Sequence, residues 1–201
     1  MQKLILAVAL TLTFTAGLVV ARERRETEPE PQRPAAADGG ISVWFSPHGG
    51  CTMAVIQEIE HARSTILVQA YSFTSAPIAK ALADAFDRGV KVTVILDKSN
   101  WTEHYTAATF LLNHRIPTYI DPKHAIAHSK IMVIDDATII TGSFNFTSSA
   151  EHENAENLLV IRDRPRLVSA YDANFREHFG HSEPYTGPRE HEGRERSDRR
   201  E

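Results

Sequence analysis

The segment Thr65–Leu96, TILVQAYSFTSAPIAKALADAFDRGVKVTVIL, decides the fold. Thr65 to Phe73 is rich in β-branched and aromatic residues and predicts a strand. Ala76 to Arg88 repeats apolar residues at helical intervals and ends at Gly89, a natural helix stop. Val90 to Leu96 (VKVTVIL) is a second strand. Strand, helix, strand in 32 residues is a βαβ unit, which places two parallel strands under a crossover helix.

The same alternation extends in both directions. Towards the N-terminus, Ile41 to Phe45 predicts a strand and Met53 to His61 a helix. Towards the C-terminus, Trp101 to Arg115 has helical spacing and Ile116 to Ile120 is extended. Ser129 to Asp135 and Thr138 to Phe144 form two strands joined by a tight turn at Asp136-Ala137. Leu158 to Ile161 adds a strand, and Arg166 to Phe179 is a helix begun by Pro165. Alternation sustained over residues 41–180, without an internal repeat, predicts one α/β domain: a mixed β-sheet flanked by helices on both faces.

The two ends read differently. Leu4 to Ala21 is a nearly unbroken apolar run behind Lys3, and Val19-Val20-Ala21 stands before Arg22. Residues 1–21 are therefore expected to be a secretory signal peptide, with an uncleaved N-terminal anchor as the alternative, and the chain to be periplasmic or secreted. Residues 22–40 (RERRETEPEPQRPAAADGG) and 181–201 (HSEPYTGPREHEGRERSDRRE) lack apolar periodicity. They predict a disordered linker and a disordered charged tail. Cys51 is the only cysteine, which excludes an intrachain disulfide and a cysteine-based zinc cluster. Residues 41–180 carry 12 Lys+Arg against 15 Asp+Glu, a balance of −3, so broad basic binding of duplex nucleic acid is not advertised and any phosphate site is local.

Reactive side chains concentrate in HSKIMVIDDATIITGSFNFTSSAEHENAENLLVI, His128 to Ile161. Alternate residues of a strand share a face, so His128 and Lys130 point together and can grip one anion, whereas Asp135 has the opposite parity and is expected to brace the turn or a neighbouring loop. Ser143 and Asn145 share a face beside Gly142, where a missing side chain permits close approach. This set suits attack on a phosphodiester. An imidazole is partly neutral near pH 7 and forms a displaceable phosphoramidate, which makes His128 the candidate nucleophile. Lys130 and Asn145, with Ser143, would bind the nonbridging oxygens. Glu156 is the candidate to hold the other nitrogen of His128.

The spacing His128-x-Lys130-(x4)-Asp135-(x6)-Gly142-Ser143-x-Asn145 resembles the HKD signature of the phospholipase D superfamily, and residues 41–180 are similar to its small single-motif bacterial nucleases. The resemblance implies catalytic roles for His128, Lys130, Asp135 and Glu156. It also implies catalysis with no cofactor and no metal, and two motifs per active site, obtained here by homodimerisation. The substrate would be nucleic acid, with phospholipid headgroups as the alternative; no other protein partner is expected. A metal-ligand set is not expected on residue grounds either, because His124 and His128 would meet only on a helix and this segment is loop and strand. His48, His61, His104, His114 and His178 read as surface residues, the histidines of the tail as solvated, and Glu151 and Glu153 as loop decoration.

Overall fold

A computed structural model describes residues 33–189, apart from His104. The expected signal peptide and the first part of the expected linker lie outside the described residues. Five helices and nine strands follow in order: β1 (Ala36–Asp38), β2 (Ile41–Phe45), α1 (Cys51–His61), β3 (Thr65–Ala70), α2 (Ala76–Asp87), β4 (Lys91–Asp97), α3 (Ala107–Asn113), β5 (Thr118–Asp121), β6 (Lys130–Ile134), β7 (Thr138–Gly142), α4 (Ser148–His152), β8 (Asn157–Arg162), α5 (Pro165–Phe179) and β9 (Glu183–Pro184). The strands form one sheet in the order β1-β2-β8-β7-β6-β3-β4-β5-β9. Only β3, β4 and β5 run parallel to one another, and every other pairing is antiparallel. The sheet is mixed, as the alternation predicts.

Strand parity divides the core. Ile66, Val68, Val92, Val94, Met132, Ile140 and Val160 are buried on the face that packs against α1, α2 and α3. Leu67, Ile131, Val133, Ile139 and Ile161 face the other way and gather around Val168 and Tyr171 of α5. The helices thus cover both faces, and the burial of apolar area on each holds the register of the sheet, because a one-residue slip would exchange the two faces.

Several boundaries differ from the sequence reading, each for a local reason. Helix α1 begins at Cys51, two residues early, because the Glu151 carboxylate caps it from across the chain, accepting the amides of Gly50 (3.0 Å) and Thr52 (2.6 Å). Glu151 is accordingly buried and is not loop decoration. The single helix expected over Trp101–Arg115 is a 3₁₀ turn at Lys98–Trp101, a loop, and then α3, which starts where the Thr106 hydroxyl accepts the Ala108 amide. The β6–β7 turn is centred one residue earlier than expected: Asp135 and Asp136 both have φ of +53°, and the Ala137 amide bonds the Ile134 carbonyl.

Parts of the expected linker and tail belong to the domain, and residues 190–201 of the expected tail lie outside the described residues. Residues 36–38 pair with β2, and residues 181–189 belong to the domain: β9 pairs with β5, Tyr185 is 2% exposed with its hydroxyl 2.9 Å from that of Thr109, and the Arg189 guanidinium lies 3.5 Å over the Trp101 ring.

Candidate active site

The site forms where the carboxyl ends of parallel β3, β4 and β5 meet the start of antiparallel β6, the crevice where open α/β sheets place ligands. Ala70 pairs with Lys130, and one residue further the Tyr71 amide bonds the Ser129 carbonyl at 2.9 Å. This register sets the Tyr71 ring against the motif. Its centroid is 4.6 Å from that of His128 and 5.1 Å from the Lys130 ammonium. Lys130 is 6% exposed, and its Nζ donates to the His128 carbonyl at 2.7 Å. Burial lowers its pKa below the ordinary lysine value, and the nearby negative charge of Glu156 opposes that shift. His128 and Lys130 therefore stand together, and Tyr71, which carried no signal in the sequence, packs against both.

The loop before His128 is pinned from β4. The buried Asp97 carboxylate accepts the amides of Ala127 (2.7 Å) and Ser99 (2.9 Å), and Lys98 Nζ donates to the His124 carbonyl at 2.9 Å. Asn100, fully buried, donates to the carbonyls of Tyr71 and Asp97 and accepts the Thr106 hydroxyl. These bonds fix the two neighbours of His128, Ala127 and Tyr71, before any ligand arrives.

After β7 the chain wraps around Asn157. The amides of Ser143 and Phe144 both donate to its carbonyl, and the Ser143 hydroxyl accepts its amide and its side-chain nitrogen. Gly142 is required here: φ is +143°, and an added Cβ would stand 2.3 Å from the Asn157 carbonyl oxygen. The Ser143 oxygen thus shapes the loop, while the residue stays exposed and its O–H donates to no group among the described residues. Asn145, two residues on, keeps a buried Oδ1 that accepts no hydrogen bond among the described residues.

Two of the residues given catalytic roles, Asp135 and Glu156, make no hydrogen bond to His128 among the described residues. Asp135 sits past the opposite end of β6 from Lys130, where its carboxylate accepts the amides of Arg63, Ser64 and Thr65 and the Ser64 hydroxyl at 2.7–3.0 Å. Burial raises its pKa, but those donors outweigh burial and hold it below the usual carboxylate range. It braces the turn and the β3 entrance, as its strand parity indicates, and is not beside His128. Glu156 accepts Asn154 Nδ2 at 3.1 Å, while its amide donates to the Ser46 hydroxyl. No hydrogen bond joins it to His128 among the described residues, so it contributes charge near Lys130 instead of holding the imidazole within one chain.

His124 does not pair with His128. It joins Asp121, His178 and His181, whose ligating atoms all lie within 4.8 Å of one another. The reading of His178 as a surface residue, of His181 as a solvated tail residue and of the motif as lacking a nearby ligand set is corrected by this cluster. Burial would raise the Asp121 carboxyl, but hydrogen bonds from His178, the Lys123 amide and His124, with His181 alongside, hold it at about 2. Cys51 is fully buried, and burial with the Glu151 charge pushes its thiol up to about 12, so it offers no nucleophile.

Residues 55–179 match the family described as "Cardiolipin synthase, PLD-like domain". That span is most of the domain and includes the whole motif. The chain belongs to the phospholipase D superfamily. Among solved structures of the superfamily it is similar to Nuc from Salmonella typhimurium, at 35% identity and a TM-score of 0.70 over 72% of this chain and 97% of that one. Among curated proteins it is 42% identical over 135 residues to a phospholipase D of Rickettsia prowazekii, covering 67% of this chain and 65% of that relative. It is 28% identical over 139 residues to the mouse mitochondrial cardiolipin hydrolase, covering 68% of this chain and 63% of the relative. The chain thus spans slightly under two thirds of the length of these two relatives.

Proposed function

We propose that His128 is the nucleophile of a two-step hydrolysis of nucleic acid, at an active site completed by a second copy of the chain. The observation that carries this reading is the packing of the His128 ring beside Tyr71 with the buried Lys130 ammonium against the same ring. An imidazole nitrogen attacks phosphorus, a P–N bond forms and the P–O bond to the leaving group breaks. Lys130 and the Asn145 amide bind the nonbridging oxygens as charge gathers there. The leaving oxygen needs a proton and the later water needs a base. His128 cannot do both while bonded to phosphorus, and no second H-x-K pair exists in the chain, so the His128 of another copy across a two-fold axis supplies the proton and then takes one from water. Water's oxygen bonds phosphorus, the P–N bond breaks, and the first His128 is regenerated.

Nucleic acid as substrate is supported by the likeness to Nuc along nearly the whole of that protein. Phospholipid is a second reading. It is supported by the identity to a protein named phospholipase D and by two apolar side chains that stand in solvent near the motif, Phe45 at 55% and Ile126 at 56% exposed. The apolar run Leu4–Ala21 supports export from the cytoplasm. The test is turnover of plasmid DNA, RNA, phosphatidylcholine and cardiolipin by the wild type and by His128→Ala. Cleavage of DNA or RNA that His128→Ala lacks is expected. Turnover of lipid alone replaces the nuclease reading with phospholipase, and normal turnover by His128→Ala overturns the nucleophile.

A further inference from the structure

We propose that Asp121, His124, His178 and His181 form a binding site for one divalent transition-metal ion, zinc by preference, which clamps the loop carrying His128 to the end of α5. None of the four side chains has a part in the phosphodiesterase reading, so the proposal stands apart from it.

The four ligands come from three places in the fold: Asp121 ends β5, His124 lies in the loop towards His128, and His178 and His181 bracket the C-terminus of α5. In sequence they are an Asp-x-x-His and a His-x-x-His pair, each short enough for one turn of chain to aim both residues at one point. From Asp121 Oδ2, the distances are 3.0 Å to His124 Nδ1, 2.7 Å to His178 Nδ1 and 3.3 Å to His181 Nε2. Ligand atoms around a tetrahedral zinc with bonds of about 2.0 Å stand about 3.3 Å apart, so the three distances from Asp121 already fit to within a few tenths of an ångström, and imidazole nitrogens that stand as much as 4.8 Å apart draw in on the ion by side-chain rotation.

Hydrogen bonding alone leaves the cluster incomplete. A carboxylate oxygen has two lone pairs and here faces three imidazole nitrogens. The geometry shows the shortfall: His124 and His178 bond to Oδ2, while His181 Nε2 is buried without a hydrogen-bond partner among the described residues. A cation at the centre satisfies all four groups at once. The second carboxylate oxygen is already oriented by the Lys123 amide at 3.0 Å, the kind of outer contact that holds a ligand in place. Asp121 is fully buried, His178 and His181 are 15% and 19% exposed, and His124 at 41% leaves the side through which an ion reaches the site.

Three imidazoles and one carboxylate favour zinc, cobalt or nickel over magnesium or calcium, which prefer all-oxygen shells. Four protein ligands leave no open position, so the ion is structural and activates no water.

The test uses the untagged full chain, stripped with chelator and titrated with Zn²⁺ by calorimetry, with Tm followed in parallel. One ion per chain and a raised Tm are expected, with no response to Mg²⁺. His124→Ala, at the most exposed ligand, should keep the circular dichroism of the wild type and weaken zinc binding by at least about tenfold, and His181→Ala should do the same. His128→Ala should bind zinc as the wild type does. Absence of saturable binding, unchanged affinity in both ligand variants, or loss of binding in His128→Ala would overturn the site.

Discussion

Asp135 shows at the scale of one residue how a reactive side chain can be conscripted for architecture. Its carboxylate receives three backbone amides and a hydroxyl, 71 residues away in the case of Ser64, and its folded pKa is depressed. A depressed carboxylate contributes stability that is complete above the unfolded value near 4 and is lost as pH falls through the folded one, so Asp135 is one source of acid sensitivity. Asp135→Asn retains tolerance of positive φ but loses charge and an acceptor. We expect it to cost about 1–3 kcal/mol in denaturant unfolding at neutral pH, with less difference from wild type at pH 3, and to leave kcat within a few fold. A loss of kcat by orders of magnitude in folded protein would return Asp135 to the chemistry. Lys130 gives the complementary prediction. Burial lowers its pKa, so the alkaline limb of kcat/KM should fall at a pH below that of an ordinary lysine, and a profile flat beyond pH 10.5 would show that its charge is not needed.

Among the elements, the loop after β7 depends most on a single atom's absence. Gly142→Ala places a Cβ 2.3 Å from the Asn157 carbonyl at a φ of +143°. Either the strand end or the loop with Ser143 and Asn145 must move, and we expect a drop in Tm together with a loss of kcat of at least about tenfold, measured on folded protein. Strands β2 to β8, α2 and α5 were legible in the sequence because each buries apolar side chains and so writes its period into the chain, whereas β1 is exposed along its whole length and was read as linker. The start of α1 was not, since its cap is a carboxylate about 100 residues distant. Strand β9 was hidden for a different reason. Two residues carry no period, and what orders them is the burial of the single Tyr185 ring. Ending the chain after Gly180 removes that ring and the pairing with β5, and a loss of about 2–4 kcal/mol in urea unfolding is expected.

Across the whole molecule, His128 and Lys130 were readable as a motif, whereas Tyr71, Asp97 and Asn100 were not, because nothing local marks a residue whose partners lie on another strand. The His and Asp cluster was hidden in the same way: its two short pairs stand more than 50 residues apart and only the closing of α5 onto β5 brings them together. Assembly tests the shared site directly. After exchange of subunits between wild type and His128→Ala, mixed dimers should lose most of the turnover of each site, and undiminished per-site rates, or a fully active monomer, would refute sharing. Cys51 makes such a measurement practical. A thiol with no exposed surface and a pKa of about 12 will not react with maleimide labels in the folded chain. The protein is therefore spectroscopically silent at its own cysteine, and Tyr105→Cys, at a position 87% exposed, would carry a single spin or fluorescent probe per chain, a ruler from one copy to the next.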